Sequence, residues 1–503
     1  MIDYIRKLGF TISIHQESSI QLYAINNADG SPRWIWNATN PQPDFLRFYA
    51  VTNLRSKVFS YLVRLVFLLK LQHLFFKKNS WLVDRDEAHV LASFTQDNFA
   101  LFTGTEGPNR KLVLYANRQF VKIGLNVTSS RLITTEMEQL QQVASKTYVE
   151  VPKVKQIGNA AVVLSDLGEG GQRATTFSTL HAKALHDLYN QFPVKSTVFH
   201  NTEAYQETVD FFHLDQGSTP GKLPRFLKEK LEMLADTMAN QKLVFTWAHG
   251  DFTPWNCFVA NDKIRLYDFE LAQAQLPFGF DAFHFVLQQG ILVDRLPWSE
   301  IKPKLRAAFE LLTATTQHEE VLFETSLNAY LLINVAYYLR IYGQQPHWHE
   351  QVYWLLNTWN DALSDVLTEQ DTHRPLIIGD VFDFLQYQRY ATVKFPDIQP
   401  QFLNEYADID LLTTKETAKH LLAYLSRHSL VKRVKVTTQS HMKSALVQLQ
   451  NGQLLALDLI WQLKRKSLEF MSVQDSINEA VVNDFGIKAL NQRNTRDYLR
   501  FFY

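Results

Sequence analysis

The stretch His249-Gly250-Asp251-Phe252-Thr253-Pro254-Trp255-Asn256, followed by Leu266-Tyr267-Asp268-Phe269-Glu270, constrains this chain more than any other feature. It sets an Asp, an Asn five residues later and a second Asp twelve residues after that, each in or beside an apolar, strand-like run. Phosphoryl transfer from ATP needs that set of groups. One carboxylate orients the attacking hydroxyl and accepts its proton. An amide oxygen and a second carboxylate hold the magnesium that neutralises the phosphates. The plain alternative is a polar turn between two buried strands. The ordered pair of motifs argues against it, where a lone His-Gly-Asp would not.

The two motifs together resemble the aminoglycoside phosphotransferase and choline kinase family, the small-molecule branch of the kinase-like fold. That family reads H-G-D-x-x-x-x-N, then a hydrophobic pair and D-F-E or D-x-D. Phe278-Gly279-Phe280-Asp281-Ala282-Phe283-His284-Phe285 is similar to it as well, because an Asp commonly follows the magnesium Asp there. The resemblance implies that Asp251 is the catalytic base and that Asn256 and Asp268 are magnesium ligands.

At 503 residues the chain exceeds what one core serves, so two to four domains are expected. Lys plus Arg equals Asp plus Glu at 51 each, which argues against a nucleic-acid partner. The single Cys257 excludes an internal disulfide framework and fits a reducing compartment, so a cytoplasmic location is expected. The Met1–Lys7 start lacks the layout of a signal peptide. No run of 18 or more apolar residues suggests a spanning helix.

Residues 1–90 read as an N-terminal extension, with strands over Phe10 to Tyr23 and one strongly apolar helix over Val58 to Phe76. Two readings of that helix stand. It packs against the body of the protein, or it makes peripheral, in-plane membrane contact through residues 58–78, since basic and aromatic residues flank its apolar face.

Residues 91–165 read as a β-rich N-lobe. Thr103-Gly104-Thr105-Glu106-Gly107-Pro108-Asn109-Arg110-Lys111 is a glycine turn between strands, whose backbone N–H groups can approach phosphates. Gly104, Thr105, Gly107 and Lys111 are its candidate nucleotide contacts. Lys122, in the apolar run Phe120-Val121-Lys122-Ile123, stands where the kinase fold keeps its phosphate lysine. An edge-strand lysine facing water is the alternative. Glu136 is the implied partner of Lys122 from the next helix, with Glu138 as the rival on another helix face. Ser165-Asp166-Leu167-Gly168 would be the hinge that meets the adenine in this family, which makes Asp166 a further nucleotide contact.

Residues 166–375 read as a helical C-lobe with the catalytic and magnesium motifs. Residues 380–503 read as a different unit. Asp408 and Asp410 share one strand face at i, i+2. Asn451-Gly452 marks a hairpin, and Asp458 lies in its second, apolar strand. An Asp-x-Asp strand, a helix and a third strand Asp resemble the uncharacterised bacterial nucleotidyltransferase family. The resemblance implies that Asp408, Asp410 and Asp458 hold metal. The chain departs from that family in having no glycine from Phe395 to Tyr406, where a phosphate-gripping turn belongs.

The expectation is therefore an α+β chain: a two-lobed protein-kinase-like fold with an N-terminal extension and a C-terminal α/β nucleotidyltransferase-like domain. It would use ATP and Mg2+ to phosphorylate a small-molecule hydroxyl acceptor such as a sugar, amino alcohol or glycan precursor. A bifunctional kinase/nucleotidyltransferase and a nucleotide-binding pseudokinase scaffold are the rival readings.

Overall fold

The computed structural model describes the 503 residues apart from 13–18, 28, 50–53, 97, 106, 159–160, 169–170, 215–221, 370–371, 397, 466–467 and 503. It is a mixed α+β chain that divides into two units. One holds Met1–Ser196, Val244–Gln289 and Ala308–Val321; the other holds Thr197–Leu243, Gly290–Ala307 and Leu322–Tyr503. This differs from the expected partition. Residues 197–243 and 322–375, expected with the catalytic motifs, fall with residues 380–503. A buried polar network within the second unit, described below, is the physical reason.

The first unit is built on an antiparallel sheet. Its strands run in the order Phe10–Ile12, Lys78–Arg85, Ser19–Asn26, Pro32–Asn37, Phe99–Phe102, Lys111–Ala116, Gln119–Gly124, Ala161–Ser165 and Val154–Ile157. Four of these lie before residue 91, so the segment 1–90 continues the sheet rather than forming a separate extension. Two-residue alternation decides which side chains meet. Leu22, Ile35, Phe99 and Leu101 enter one core, while Tyr23, Trp34, Trp36 and Ala100 enter a second core on the other face. Part of the stretch expected as strand, residues 13–18, lies outside the described residues.

The single helix expected over 58–76 is two pieces, Leu54–Leu68 and Gln72–Phe75. The break has a local cause. Lys70 takes a left-handed φ of 57°. Its N–H donates to the Phe67 carbonyl, and the Leu71 N–H donates to the Val66 carbonyl. This is the paired Schellman closure that ends a helix, here with lysine where glycine is usual.

In the second unit, a sheet runs in the order Val431–Thr438, Met442–Leu449, Leu454–Ile460, Ile409–Thr413, Tyr390–Thr392, Lys488–Ala489 and Val481–Val482. The Asn451-Gly452 hairpin is present, with Gly452 at φ 92°. The helices Arg225–Met238, Glu350–Leu367 and His373–Leu385 meet around charge. The Lys230 ammonium donates to Asp380, to Ser364 Oγ at 3.0 Å and to the Asn360 carbonyl at 3.1 Å. Asp380 also accepts from Ser364 at 2.6 Å and contacts His428 Nε2 at 2.9 Å. Asp383 accepts the N–H groups of Phe226 and Leu227 at 3.0 and 2.7 Å, satisfying the open start of a helix.

Removing one member of such a network strands a buried charge. Lys230→Met keeps the aliphatic stem and deletes the ammonium. It is expected to cost about 3 kcal/mol of unfolding free energy, read from urea denaturation followed by circular dichroism. An unchanged midpoint would show that Ser364 and His428 satisfy Asp380 unaided.

Candidate active site

Two short hairpins set the geometry of the first unit's site. Asn117 and Arg118, both at positive φ, turn the chain between Lys111–Ala116 and Gln119–Gly124. Lys122 thereby pairs with Val113 on one side and Val162 on the other. It is an interior residue of the sheet, not the water-facing edge lysine of the alternative reading, and is buried. The helix Val127–Gln142 follows, started by a capping box of Asn126 and Ser129. Its buried stripe is Ser129, Ile133, Glu136 and Leu140, whereas Glu138 is exposed.

Asn261 and Asp262, again both at positive φ, close the hairpin between Cys257–Ala260 and Lys263–Leu266. Paired positive φ values match the twist of adjoining strands. The hairpin joins the two halves of the motif: Asn256 precedes one strand, Asp268 soon follows the other, and the Tyr267 N–H donates to the Asn256 carbonyl at 3.1 Å. Asp268 itself sits at φ 68°, a left-handed conformation that a non-glycine residue keeps only where its surroundings enforce it.

Charges from both hairpins converge. Lys122 Nζ lies 2.7 Å from Glu136 Oε1 and 2.5 Å from Asp268 Oδ1. Glu136 Oε1 also accepts the Phe269 N–H at 3.3 Å. Lys111 Nζ lies 3.4 Å from Asp268 Oδ1 and pairs closely with Glu270. Burial alone would raise the Asp268 carboxyl, but the two ammonium groups outweigh it and hold it well below the usual range. Burial would lower Lys122, and Asp268 and Glu136 instead push it up. For Lys111 burial wins, and its ammonium is lowered.

Around Asp251 the order is equally local. Asn256 Nδ2 donates to Asp251 Oδ2 at 2.8 Å and to the Asp251 carbonyl at 3.0 Å. His284 Nε2 lies 3.2 Å from Asp251 Oδ1. Both carboxylate oxygens are thus held in place. The preceding backbone is pinned by Asp281, which accepts the His249 N–H at 2.8 Å and the Gly250 N–H at 2.9 Å. Burial raises the Asp281 carboxyl to about 6. Gly250, at φ 79°, approaches the Leu271 carbonyl so closely that a Cβ would lie 2.2 Å from its oxygen. His249 Nδ1 accepts the Asp251 N–H, so its proton belongs on Nε2, which lies 3.0 Å from the Tyr267 carbonyl. Burial lowers that imidazole to about 4, which keeps it neutral.

The donor set suits a hard divalent cation: carboxylates at Asp268 and Glu270, and the Asn256 amide oxygen, which the hydrogen bonds to Asp251 do not use. Both ammonium groups contact Asp268 through the same oxygen, Oδ1.

The glycine loop is a tight turn. Gly104, at φ 80°, passes so close to the Lys111 carbonyl that a Cβ would lie 2.3 Å from its oxygen. Arg110 Nε ties the loop to the Thr103 carbonyl at 3.1 Å. Thr105 is exposed and Gly107 half-buried; Glu106 lies outside the described residues. The expected hinge is a different matter. The N–H groups of Ser165, Asp166, Leu167 and Gly168 donate to the Lys153 carbonyl, the Arg118 carbonyl, Tyr267 Oη and Asp166 Oδ1. The Asp166 carboxylate accepts from Tyr115 at 2.9 Å and faces Arg47 at 3.4 Å. The Asp166 carboxylate and these four backbone amides therefore all have partners within the protein.

Away from this site, Asp408, Asp410 and Asp458 come together in the second unit. The two strands pair in parallel with Asp410 opposite Asp458, and one oxygen from each of the three carboxyls lies within 4.8 Å of the others. Burial, reinforced by the neighbouring Asp408 and Asp458, raises Asp410 to about 6.

No family model and no curated protein matches the chain. Among solved structures it is similar to a choline/ethanolamine kinase family protein from Mesorhizobium loti, at 13% identity and a TM-score of 0.32 over 67% of this chain and 96% of that one. It is also similar to choline kinase LicA from Streptococcus pneumoniae, at 11% identity and 0.38 over 53% and 92%. A third is a putative fructosamine-3-kinase from Haemophilus somnus, at 16% identity and 0.36 over 53% and 91%. Identity and TM-score are low in all three, and the site's own residues carry the reading that follows.

The sequence assigned no site role to Glu270, Asp281 or His284. A signal was present for each. Glu270 closes Tyr267-Asp268-Phe269-Glu270, and Asp281 and His284 interrupt an aromatic run where an unpaired polar group would be costly.

If Lys122 and Glu136 act as one buried pair, Lys122→Met and Glu136→Gln should be strongly non-additive, with a coupling of about 1–3 kcal/mol in unfolding free energy. Glu138→Gln combined with Lys122→Met should be additive. Denaturation of the singles and doubles measures both cycles.

Proposed function

We propose that the first unit is an ATP- and magnesium-dependent phosphotransferase that moves the γ-phosphoryl group to a hydroxyl of a small polar acceptor: a sugar, an amino alcohol or a glycan precursor. The observation that carries this reading is the pairing of two arrangements. A buried lysine is shared by Glu136 and Asp268, and the Asp251 carboxylate is fixed on both oxygens by Asn256 and His284. Phosphoryl transfer asks the protein mainly for positioning and charge stabilisation. This constellation offers both.

In this reading Lys122 holds the α- and β-phosphates, with Glu136 fixing its ammonium. Lys111 and the turn through Gly104, Thr105 and Gly107 meet the outer phosphates. Asn256 and Asp268, with Glu270 beside them, would hold magnesium, which would supply positive charge against the phosphates. Asp251 orients the acceptor hydroxyl and takes its proton as the oxygen–phosphorus bond forms and the bond to the departing ADP breaks. The adenine contact expected at Asp166 is left to backbone carbonyls, since the hinge amides are used. The structural neighbours named above include small-molecule kinases, which agrees with this class of acceptor without choosing one. The pseudokinase alternative predicts nucleotide binding without turnover.

For the second unit, the clustered Asp408, Asp410 and Asp458 favour one further reading: a weak divalent-cation site without nucleotidyl transfer. Three such close carboxyls need a cation or raised pKa values, and no glycine turn precedes the Asp-x-Asp strand.

A panel of sugars and amino alcohols assayed for ATP-dependent phosphorylation tests the main proposal. On any accepted substrate, Asp251→Asn should retain ATP binding and lose turnover by at least about 10²-fold, the usual scale for a positioned base. Near wild-type turnover in folded Asp251→Asn protein would remove Asp251 from the mechanism.

Asp268→Ala should weaken Mg-ATP binding far more than metal-free ATP binding. Titration calorimetry with and without magnesium separates the two, and equal losses would make Asp268 structural.

A further inference from the structure

The helix Leu54–Leu68 has two apolar faces, and the fold uses one. Val63 and Phe67, with Phe59 beside them, pack on Trp34, Trp36 and Phe45. Val58, Tyr61, Leu62, Leu65 and Leu68 recur at intervals of three and four, so they form a second stripe. All five are exposed, Tyr61 at 69% and Leu68 at 78%. Just past the helix end, Leu74 and Phe75 add to it at 67% and 64%. An exposed run of this size calls for a partner.

Charge says which kind. Arg55, Lys57, Arg64, Lys70, Lys77 and Lys78 are all exposed, and no Asp or Glu occurs between Asp44 and Asp84. Lys57 and Arg64 lie seven residues apart along one border of the stripe; Arg55 falls on the other border. A second copy of this face would set cations against cations, which disfavours self-association. An apolar layer beneath an anionic surface satisfies both features at once. Lysine and arginine stems lie along the apolar zone while their charged ends reach headgroups. No helix among the described residues is long and apolar enough to cross a membrane, so the fitting orientation is in the plane of the surface.

We propose that this face, from Arg55 to Lys78, docks the protein on a bilayer containing anionic lipid headgroups. The inner stripe keeps the helix attached to the sheet, and the outer stripe enters the headgroup boundary. Docking of this kind is independent of phosphotransfer and stands or falls without it.

The test is co-sedimentation of the full chain with vesicles of phosphatidylcholine alone, or of phosphatidylcholine mixed with phosphatidylserine. Binding is expected to the mixed vesicles at about 0.1 M salt, with release near 1 M, where charges are screened. Two double variants, Leu62→Glu with Leu65→Glu and Lys57→Glu with Arg64→Glu, should each lower the bound fraction at least about tenfold. Circular dichroism matching the parent confirms that both remain folded, as expected for exposed positions. Absent binding to mixed vesicles, binding indifferent to lipid charge, or binding unchanged in both variants would overturn the proposal. So would a dimer in sedimentation velocity that the Leu62→Glu, Leu65→Glu variant abolishes, which would assign the face to a second copy of this chain.

Discussion

The first unit depends on the buried ammonium of Lys122. It meets Glu136 from a helix and Asp268 from a hairpin end, at 2.7 and 2.5 Å. A buried charge is tolerated only when paired, and breaking the pair leaves a cost that the fold must absorb. One side chain therefore holds three elements in register: the strand that carries it, the helix Val127–Gln142 and the turn at Asp268. The left-handed backbone of Asp268 belongs to the same constraint. Its carboxylate reaches both Lys111 and Lys122 from a conformation that costs free energy in isolation.

The charge balance around that point also bears on chemistry. Two ammonium groups face three carboxylates, those of Glu136, Asp268 and Glu270. The imbalance is negative, which favours further positive charge, and the hard oxygen donors suit a divalent cation. Asp251 is treated differently. Hydrogen bonds rather than ammonium groups fix it. One carboxylate is thus held by ammonium groups and the other by hydrogen bonds. The second unit applies similar physics to a structural end. Lys230, Asp380 and His428 are buried together and knit helices, and the shared burial of these groups draws residues 197–243 away from the partition the motifs suggest.

Legibility in the sequence followed the range of the interaction. The Asp251, Asn256 and Asp268 spacing was readable because a two-residue hairpin, itself encoded by Asn261-Asp262, closes the gap between them. Glu136 was readable against Glu138 only as far as helix periodicity goes, and burial settled it. The break at Lys70 was not readable, since a lysine there gives no hint of a left-handed φ. Nor were the contacts of Asp166. Its partners Tyr115, Tyr267 and Arg47 lie 51, 101 and 119 residues away along the chain.

The sequence by itself determined the inventory: which acids, amides and lysines the chain carries, their order, and the short turns that present them. Periodicity, turn chemistry and the rarity of charge in apolar runs are local rules, and they act within a few residues. The tertiary structure decided which charges meet, since the pairing of Lys122 with Asp268 spans 146 residues and that of Lys111 with Glu270 spans 159. It also decided which apolar stripe of the Leu54–Leu68 helix turns inward. Both outcomes rest on burial, which is a property of the packed sheet and helices together and has no counterpart in any single segment.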